Sequence, residues 1–275
     1  ITTFENLTGS AFDDTLTGDT AANVINGGNG NDAIQGGTGN DTLDGGSGID
    51  TVVYSAATAG ITFSLSVTAA QNTISAGTDT VTNFENVLGS GFADTISGNS
   101  GDNTLDGAGG TDLLTYANAT AGVTVDMGIT TAQNTVGAGN DTILNFENLT
   151  GSAFNDVLTG NGSANTIDGG LGDDTLDGGI GADMLDGGGA IDTADYSKKA
   201  VAVVAFLTIG DPSLFSVFPR LAAAVRARDP PVGRQRAERL DDIPQSAIVD
   251  DRQPKAGANL NLADGEQLAH ATRSA

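Results

Sequence analysis

The chain of 275 residues has no cysteine, no tryptophan and a single histidine, His270. Without cysteine there is neither a disulfide framework nor a thiolate metal site. A serine-hydrolase triad or a zinc hydrolase centre has no histidine to draw on except one in a polar tail. Positive charge and proline are missing from most of the chain: residues 1–197 hold 26 Asp and Glu and no Lys or Arg, whereas 198–275 hold all 11 Lys and Arg and all six prolines. An acidic body of this kind repels nucleic-acid phosphates and anionic membranes, so its partners are expected to be cations and no nucleic acid. No apolar run is long enough for a membrane span or an N-terminal secretory signal. The sequence opens at Ile1 inside a motif that recurs downstream, so a longer parent protein is expected, with export information upstream or at the C-terminus. Low hydrophobicity with high net charge predicts disorder when nothing neutralises the charge.

What the chain does have is glycine, 40 residues of it, in phase. From Gly27 the sequence reads GGNGNDAIQ, GGTGNDTLD, then GGSGID. Units of nine begin at Gly9, Gly18, Gly27, Gly36 and Gly45, at Gly89, Gly98 and Gly107, and at Gly151, Gly160, Gly169, Gly178 and Gly187. Position 6 is always Asp or Asn, and position 8 is aliphatic from Leu16 to Leu185, with Ala194 last. A glycine-rich linker with incidental aspartates does not hold that register.

A second motif, FENLTGSAF or FENVLGSGF, starts at Phe4, Phe84 and Phe146. The two intervals differ by two nonapeptides, and the middle block has three units where its neighbours have five. Deleting a whole turn preserves stacking, so two nonapeptides per turn are predicted. The blocks end in DTVVYSAATAG, DLLTYANATAG and DTADYSKKAVA. In the first two, Ile61, Phe63, Leu65 and Val67, and then Val123 and Val125, alternate with small polar residues as half-buried strands do. No helical apolar stripe occurs in 1–197, so the body reads as all-β.

Glycines at positions 1, 2 and 4 permit backbone angles closed to other residues, and the aspartate adds a charged oxygen. Calcium wants six to eight oxygen ligands, more than one turn offers. With two units per turn, position-6 residues 18 apart fall on one edge at strand spacing and can share an ion. One aliphatic side chain per nine residues does not by itself offset the entropy of ordering them, so folding is expected to need the ion.

This pattern is similar to the calcium-binding nonapeptide of RTX, or haemolysin-type, repeat proteins. The resemblance implies a parallel β-roll, a β-helix-like solenoid, with Ca2+ held between successive turns of one edge. Full GGxGxD turns assign the ion to Gly27, Gly28, Asn29, Gly30 and Asp32; to Gly36, Gly37, Thr38, Gly39 and Asp41; and to Gly45, Gly46, Gly48 and Asp50. In the third block they assign it to Gly169, Gly170, Gly172 and Asp174, and to Gly178, Gly179, Gly181 and Asp183. Asp14, Asp156 and Asp192 complete the stacks. The middle block, with GNSGDN and GAGGTD, departs from the pattern and carries no assigned site; Ala190 also replaces the fourth glycine of the last unit.

The organisation expected is block one at 1–53, a connecting β module at 54–88, block two at 89–115, a second module at 116–150, block three at 151–197 and an atypical tail at 198–275. In the tail, Val201 to Ile209 reads as a strand and Leu221 to Arg228 as a short basic helix. The tail is either the C-terminal secretion-signal region that the family would place there or a frame-shifted or chimeric end, in which case 210–275 is expected to be disordered. A phosphate loop is excluded because no lysine follows any GxxxxG. Carboxylate pairs such as Asp13 and Asp14 lie inside the repeats, where ion binding accounts for them better than glycosidase chemistry. The NxT sequons at Asn6 and Asn148 belong to the FEN motif, and Asn6, Asn86 and Asn148 are expected to cap or bridge turns.

The resemblance implies a calcium-folded repeat region of a secreted, extracellular bacterial protein, exported through type I secretion machinery and without enzymatic activity of its own. Two alternatives stay open: a calcium-stiffened adhesin or surface-layer module with cell-surface or polysaccharide contacts, and the repeat region of a secreted protease, lipase or epimerase.

Overall fold

Nine residues suffice for one tight turn and three residues of strand, and two such units bring the chain back to the side it left. The structure, a computed structural model, describes residues 4–199 and the strands Val204–Ile209 and Leu268–Arg273. Among the described residues there is no helix, hence none long and apolar enough to cross a membrane.

The strands form four sheets. The first holds Asn6–Thr8, Val24–Asn29, Thr42–Ser47 and Thr78–Thr82, with Gln71–Asn72 antiparallel at its edge. The second holds Thr15–Thr17, Ala33–Gln35, Thr51–Val53, Asn86–Leu88, Thr104–Asp106 and Asn140–Leu144, with Gln133–Asn134 antiparallel at its edge. The third runs through Thr62–Ser64, Thr95–Ser97, Leu113–Thr115, Asn148–Thr150, Thr166–Asp168 and Met184–Asp186. The fourth holds Thr124–Asp126, Val157–Thr159, Thr175–Asp177 and Thr193–Ala194. Block one thus lies between the first and second sheets, block two between the second and third, and block three between the third and fourth.

Within a block every strand pairs in parallel with the one two units on: Asn6 with Val24, Val24 with Thr42, Thr15 with Ala33, Val157 with Thr175. This is a parallel β-roll. In each short strand only the middle residue, position 8, points inward. Ile25, Ile34, Leu43, Val52, Ile96, Leu105, Leu114, Leu158, Ile167, Leu176 and Leu185 are at most 2% exposed, and they form the core. The end units are the exceptions, with Leu16 partly buried and Ala194 exposed.

The connecting modules interrupt the 18-residue register in a fixed way. Partners across the first module lie 38, 35 and 33 residues apart, as Asp41 to Asp79, Asp50 to Glu85 and Ile61 to Asp94. The second module repeats the same three offsets, from Asn103 to Asp141, Asp112 to Glu147 and Val123 to Asp156. Inside them Ile61, Phe63 and Leu65 are buried as the alternation predicts, and Val67, exposed, ends it. The Phe63 ring packs on Tyr54 with centroids 5.2 Å apart.

The third sheet continues past Met184–Asp186 through Leu268–Arg273 to Val204–Ile209, all parallel. The strand expected at Val201 to Ile209 is therefore present from Val204, and the C-terminal strand lies between it and block three. The helix expected at Leu221 to Arg228 lies outside the described residues, as does most of the stretch for which disorder is expected.

Candidate metal centre

The turns are tied together by position 6. Its backbone N–H donates to the Oδ1 of the residue one full turn later: Asp14 to Asp32 at 2.8 Å, Asp32 to Asp50 at 2.7 Å, Asn23 to Asp41 at 2.8 Å, Asp156 to Asp174 at 2.8 Å and Asp174 to Asp192 at 3.1 Å. One carboxylate oxygen is therefore committed to the neighbouring backbone, and the question at each turn is what the second oxygen meets.

Two kinds of turn answer it differently. Where position 2 is Ser, Asp or Asn, its N–H reaches the position-6 side chain of the same unit. Ser90 donates to Asp94 Oδ2 at 2.6 Å and Ser152 to Asp156 Oδ2 at 2.6 Å, while Asp19, Asn99 and Asn161 donate to Asn23, Asn103 and Asn165 at 2.8, 2.9 and 2.9 Å. Ser152 also donates its hydroxyl to Asp156 Oδ1 at 2.8 Å and accepts the Phe154 N–H at 3.0 Å. Such a turn closes on itself. Asp14 belongs to this class, since its Oδ2 accepts the Ser10 N–H. Of the assigned residues, Asp156 thus has both oxygens engaged, and Asp14 has its Oδ2 engaged.

Where position 2 is glycine, the backbone takes the left-handed conformation, with φ of 107° at Gly28, 111° at Gly37, 99° at Gly46, 94° at Gly170 and 74° at Gly179. The peptide is rotated, and in block three its N–H goes to the preceding unit: Gly170 to Asp168 Oδ1 at 3.0 Å and Gly179 to Asp177 Oδ1 at 3.0 Å. The second carboxylate oxygen is left alone. Oδ2 of Asp32, Asp41, Asp50 and Asp174, and of Asp112, whose turn has Ala108 at position 2, is buried without a hydrogen-bond partner, a costly state for an acceptor.

These oxygens look into a cradle that only glycine leaves open. A Cβ on Gly27 would run into Asp32 Oδ2 and the Gly45 carbonyl oxygen, and one on Gly169 would meet Asp174 Oδ2 and, at 2.8 Å, the Gly187 carbonyl oxygen. At Gly170 a side chain would strike the Ser152 carbonyl. Asn29 and Thr38, at position 3, are exposed and spend their N–H groups on the Ser10 and Asp19 carbonyls. Gly30, Gly39, Gly48, Gly172 and Gly181, at position 4, abut a backbone oxygen one turn earlier.

Residues 4–197 contain no Lys or Arg to offset this charge. Burial, with neighbouring aspartates, raises Asp174 and Asp112 to about 6, and burial also raises Asp41, Asp50 and Asp183 above the ordinary carboxylate range. The end of block three differs, because there Lys199 donates to Asp177 Oδ1 at 3.2 Å and to the Gly179 carbonyl, and its charge opposes the rise at Asp183. Among the described residues no three His, Asp or Glu side chains converge. Each open turn instead offers one carboxylate with main-chain carbonyls, an all-oxygen donor set that fits a hard cation of irregular coordination such as calcium.

Several participants were not singled out from the sequence. Glu85 and Glu147 accept the N–H of Asp50 and Asp112 at 2.8 and 2.9 Å, in the place of a next-turn aspartate. Asp79 and Asp141 do the same for Asp41 and Asn103 while accepting the Thr73 and Thr135 hydroxyls at 3.3 and 3.2 Å. The signal lay in GTDTV and GNDTI, which repeat positions 4 to 8 of a nonapeptide with a left-handed glycine at Gly77 and Gly139. Asn86 and Asn148 do bridge turns, accepting the N–H of Thr104 and Thr166 at 2.8 and 3.2 Å.

A parallel roll whose turns present unpaired carboxylate oxygens to glycine cradles defines a cation-binding repeat protein. The sequence model of the RTX calcium-binding nonapeptide repeat matches residues 3–34, 17–52, 84–116, 146–176 and 160–194, so the three blocks are runs of that repeat. No curated protein matches the chain.

Proposed function

We propose that the chain is the calcium-binding repeat region of a secreted bacterial protein and that it folds when it meets calcium outside the cell. The observation that carries this reading is the set of buried, unpartnered Asp oxygens at Gly-Gly turns. Calcium, when bound, supplies the countercharge; the chain supplies the carboxylate and carbonyl oxygens and keeps Cβ atoms out of the way. Export through type I machinery as an unfolded, highly charged chain, followed by calcium-driven folding, would draw the body outward and give a neighbouring domain a rigid support. No catalytic role is assigned to the repeats themselves. The reading as an adhesive module draws on Phe12, Phe92 and Phe154, which stand exposed at the first turn of each block.

The test is titration calorimetry of the 275-residue chain with calcium, followed in parallel by circular dichroism. Saturable binding that brings strand content with it is the expected result. Equal strand content in chelator and in millimolar calcium would sink the proposal.

A further inference from the structure

Block two departs from the GGxGxD pattern, yet its last turn, Gly107 to Asp112, carries every mark of an open one. Ala108 stands at position 2 with φ of 64°, a left-handed conformation that an alanine resists. Its N–H donates to Asp106 Oδ1 of the preceding unit at 2.8 Å, as Gly170 and Gly179 do in block three. Asp112 is 0% exposed and its Oδ2 has no partner. That oxygen faces the space above Gly107, where a Cβ would lie 2.8 Å from it and would also strike the Asn145 carbonyl oxygen.

No nonapeptide follows this turn; a connecting module does. Asn145, left-handed at φ 57°, supplies the carbonyl that position 1 of a next unit would supply. Two residues on, Glu147 accepts the Asp112 N–H at 2.9 Å, the role of a next-unit aspartate. Asn-Phe-Glu thus replaces a whole glycine-rich turn, the longer glutamate making up for the shorter path. The end of block one is built alike: Asp50 Oδ2 is unpartnered, the Asn83 carbonyl faces Gly45, Asn83 has φ of 58°, and Glu85 accepts the Asp50 N–H.

We propose that Asp112 and the Asn145–Glu147 segment form a divalent-cation site, a twin of Asp50 with Asn83–Glu85, so that each connecting module is fastened to the block before it by calcium. The inference rests on the calcium reading of the open turns and extends it to a turn that lacks the second glycine of the pattern. It also gives the FEN motif and the asparagine two residues before its glutamate a physical role. The glutamate is a positioning residue that holds the last turn in the geometry the ion needs, and the asparagine offers the carbonyl.

The full chain is titrated with calcium, and bound ion is counted by equilibrium dialysis with elemental analysis for wild type, D112N and D174N. Each variant is expected to bind one ion fewer than wild type. Calcium-dependent protection of the Asn145–Thr150 amides against hydrogen exchange is expected to be lost in D112N and kept in D174N. A D112N count equal to wild type, with D174N one lower, overturns this site and leaves the calcium reading standing; a wild type that binds no calcium overturns both. Should D112N not fold, A108G carries the test. Glycine relieves the left-handed strain, so calcium protection of the same amides should appear at a concentration lower by about fivefold, and an unchanged or higher midpoint overturns the site.

Discussion

The turns at Gly151 and Gly169 lie one above the other on the same edge of the roll and differ most in effect at positions 2 and 4, Ser152 and Phe154 against Gly170 and Gly172. In the first, Ser152 occupies both oxygens of Asp156 with its N–H and hydroxyl. In the second, Gly170 turns its N–H away and leaves Asp174 Oδ2 buried and unmet. Left-handed glycines at Gly170 and Gly172 separate a turn that is complete as folded from one that waits for a cation. Every block opens with two turns of the closed kind and goes on to open ones, so each carries a starting segment whose hydrogen bonds need no ion. The closed turns are also where asparagine stands at position 6, at Asn23, Asn103 and Asn165; a neutral side chain suffices where a peptide N–H is the partner.

Removing calcium should break this comparison most visibly. In excess chelator the open turns are expected to lose their strands, with most of the far-ultraviolet strand signal, while amides near Gly151 exchange more slowly than those near Gly169. Uniform exchange across both would contradict the distinction. Next in size is Gly169→Ala, which puts a methyl group against Asp174 Oδ2 and the Gly187 carbonyl; a loss of at least ~2 kcal/mol of calcium-loaded stability is expected in denaturant unfolding. Ser152→Ala acts on the closed turn, removing a buried hydroxyl that donates to Asp156 and accepts from Phe154. It should cost about 1–2 kcal/mol with or without calcium, and a cost that appears only in calcium would mean that the two turns are not distinct.

The smallest effect is one of pH. Burial pushes Asp79 and Asp141 up to about 6 in the folded chain. The folded state then holds protons that the unfolded state has released, so calcium-free stability is greatest below the ordinary carboxylate range, declines as pH rises toward about 6, and is flat above it. Residual strand content measured in chelator at a series of pH values checks the sign: a strand signal that climbs over that window would show that these carboxylates are stabilised as anions.

The nonapeptide made most of the fold legible. A period of nine with one inward residue per strand places Ile34, Leu43 and Val52 in the core, and the missing pair of units in block two gives the 18-residue register. The site was legible as far as glycine marks it. Sequence does not reveal that a position-2 N–H has two alternative acceptors, because the choice depends on a torsion angle and not on a donor being present. Ala108 hides an open turn for that reason: its residue type argues for the other conformation, and the surrounding roll overrides it. Glu85 and Glu147 escaped notice because their role depends on three residues spanning the distance that six cover elsewhere, which spacing alone cannot show.

Both connecting modules leave and rejoin the coil at the same three offsets, 38, 35 and 33 residues. A segment with that property is a joint of fixed size: each copy hands the roll from one pair of sheets to the next, so the block that follows starts on a fresh face while every turn inside a block keeps the partners it already fits.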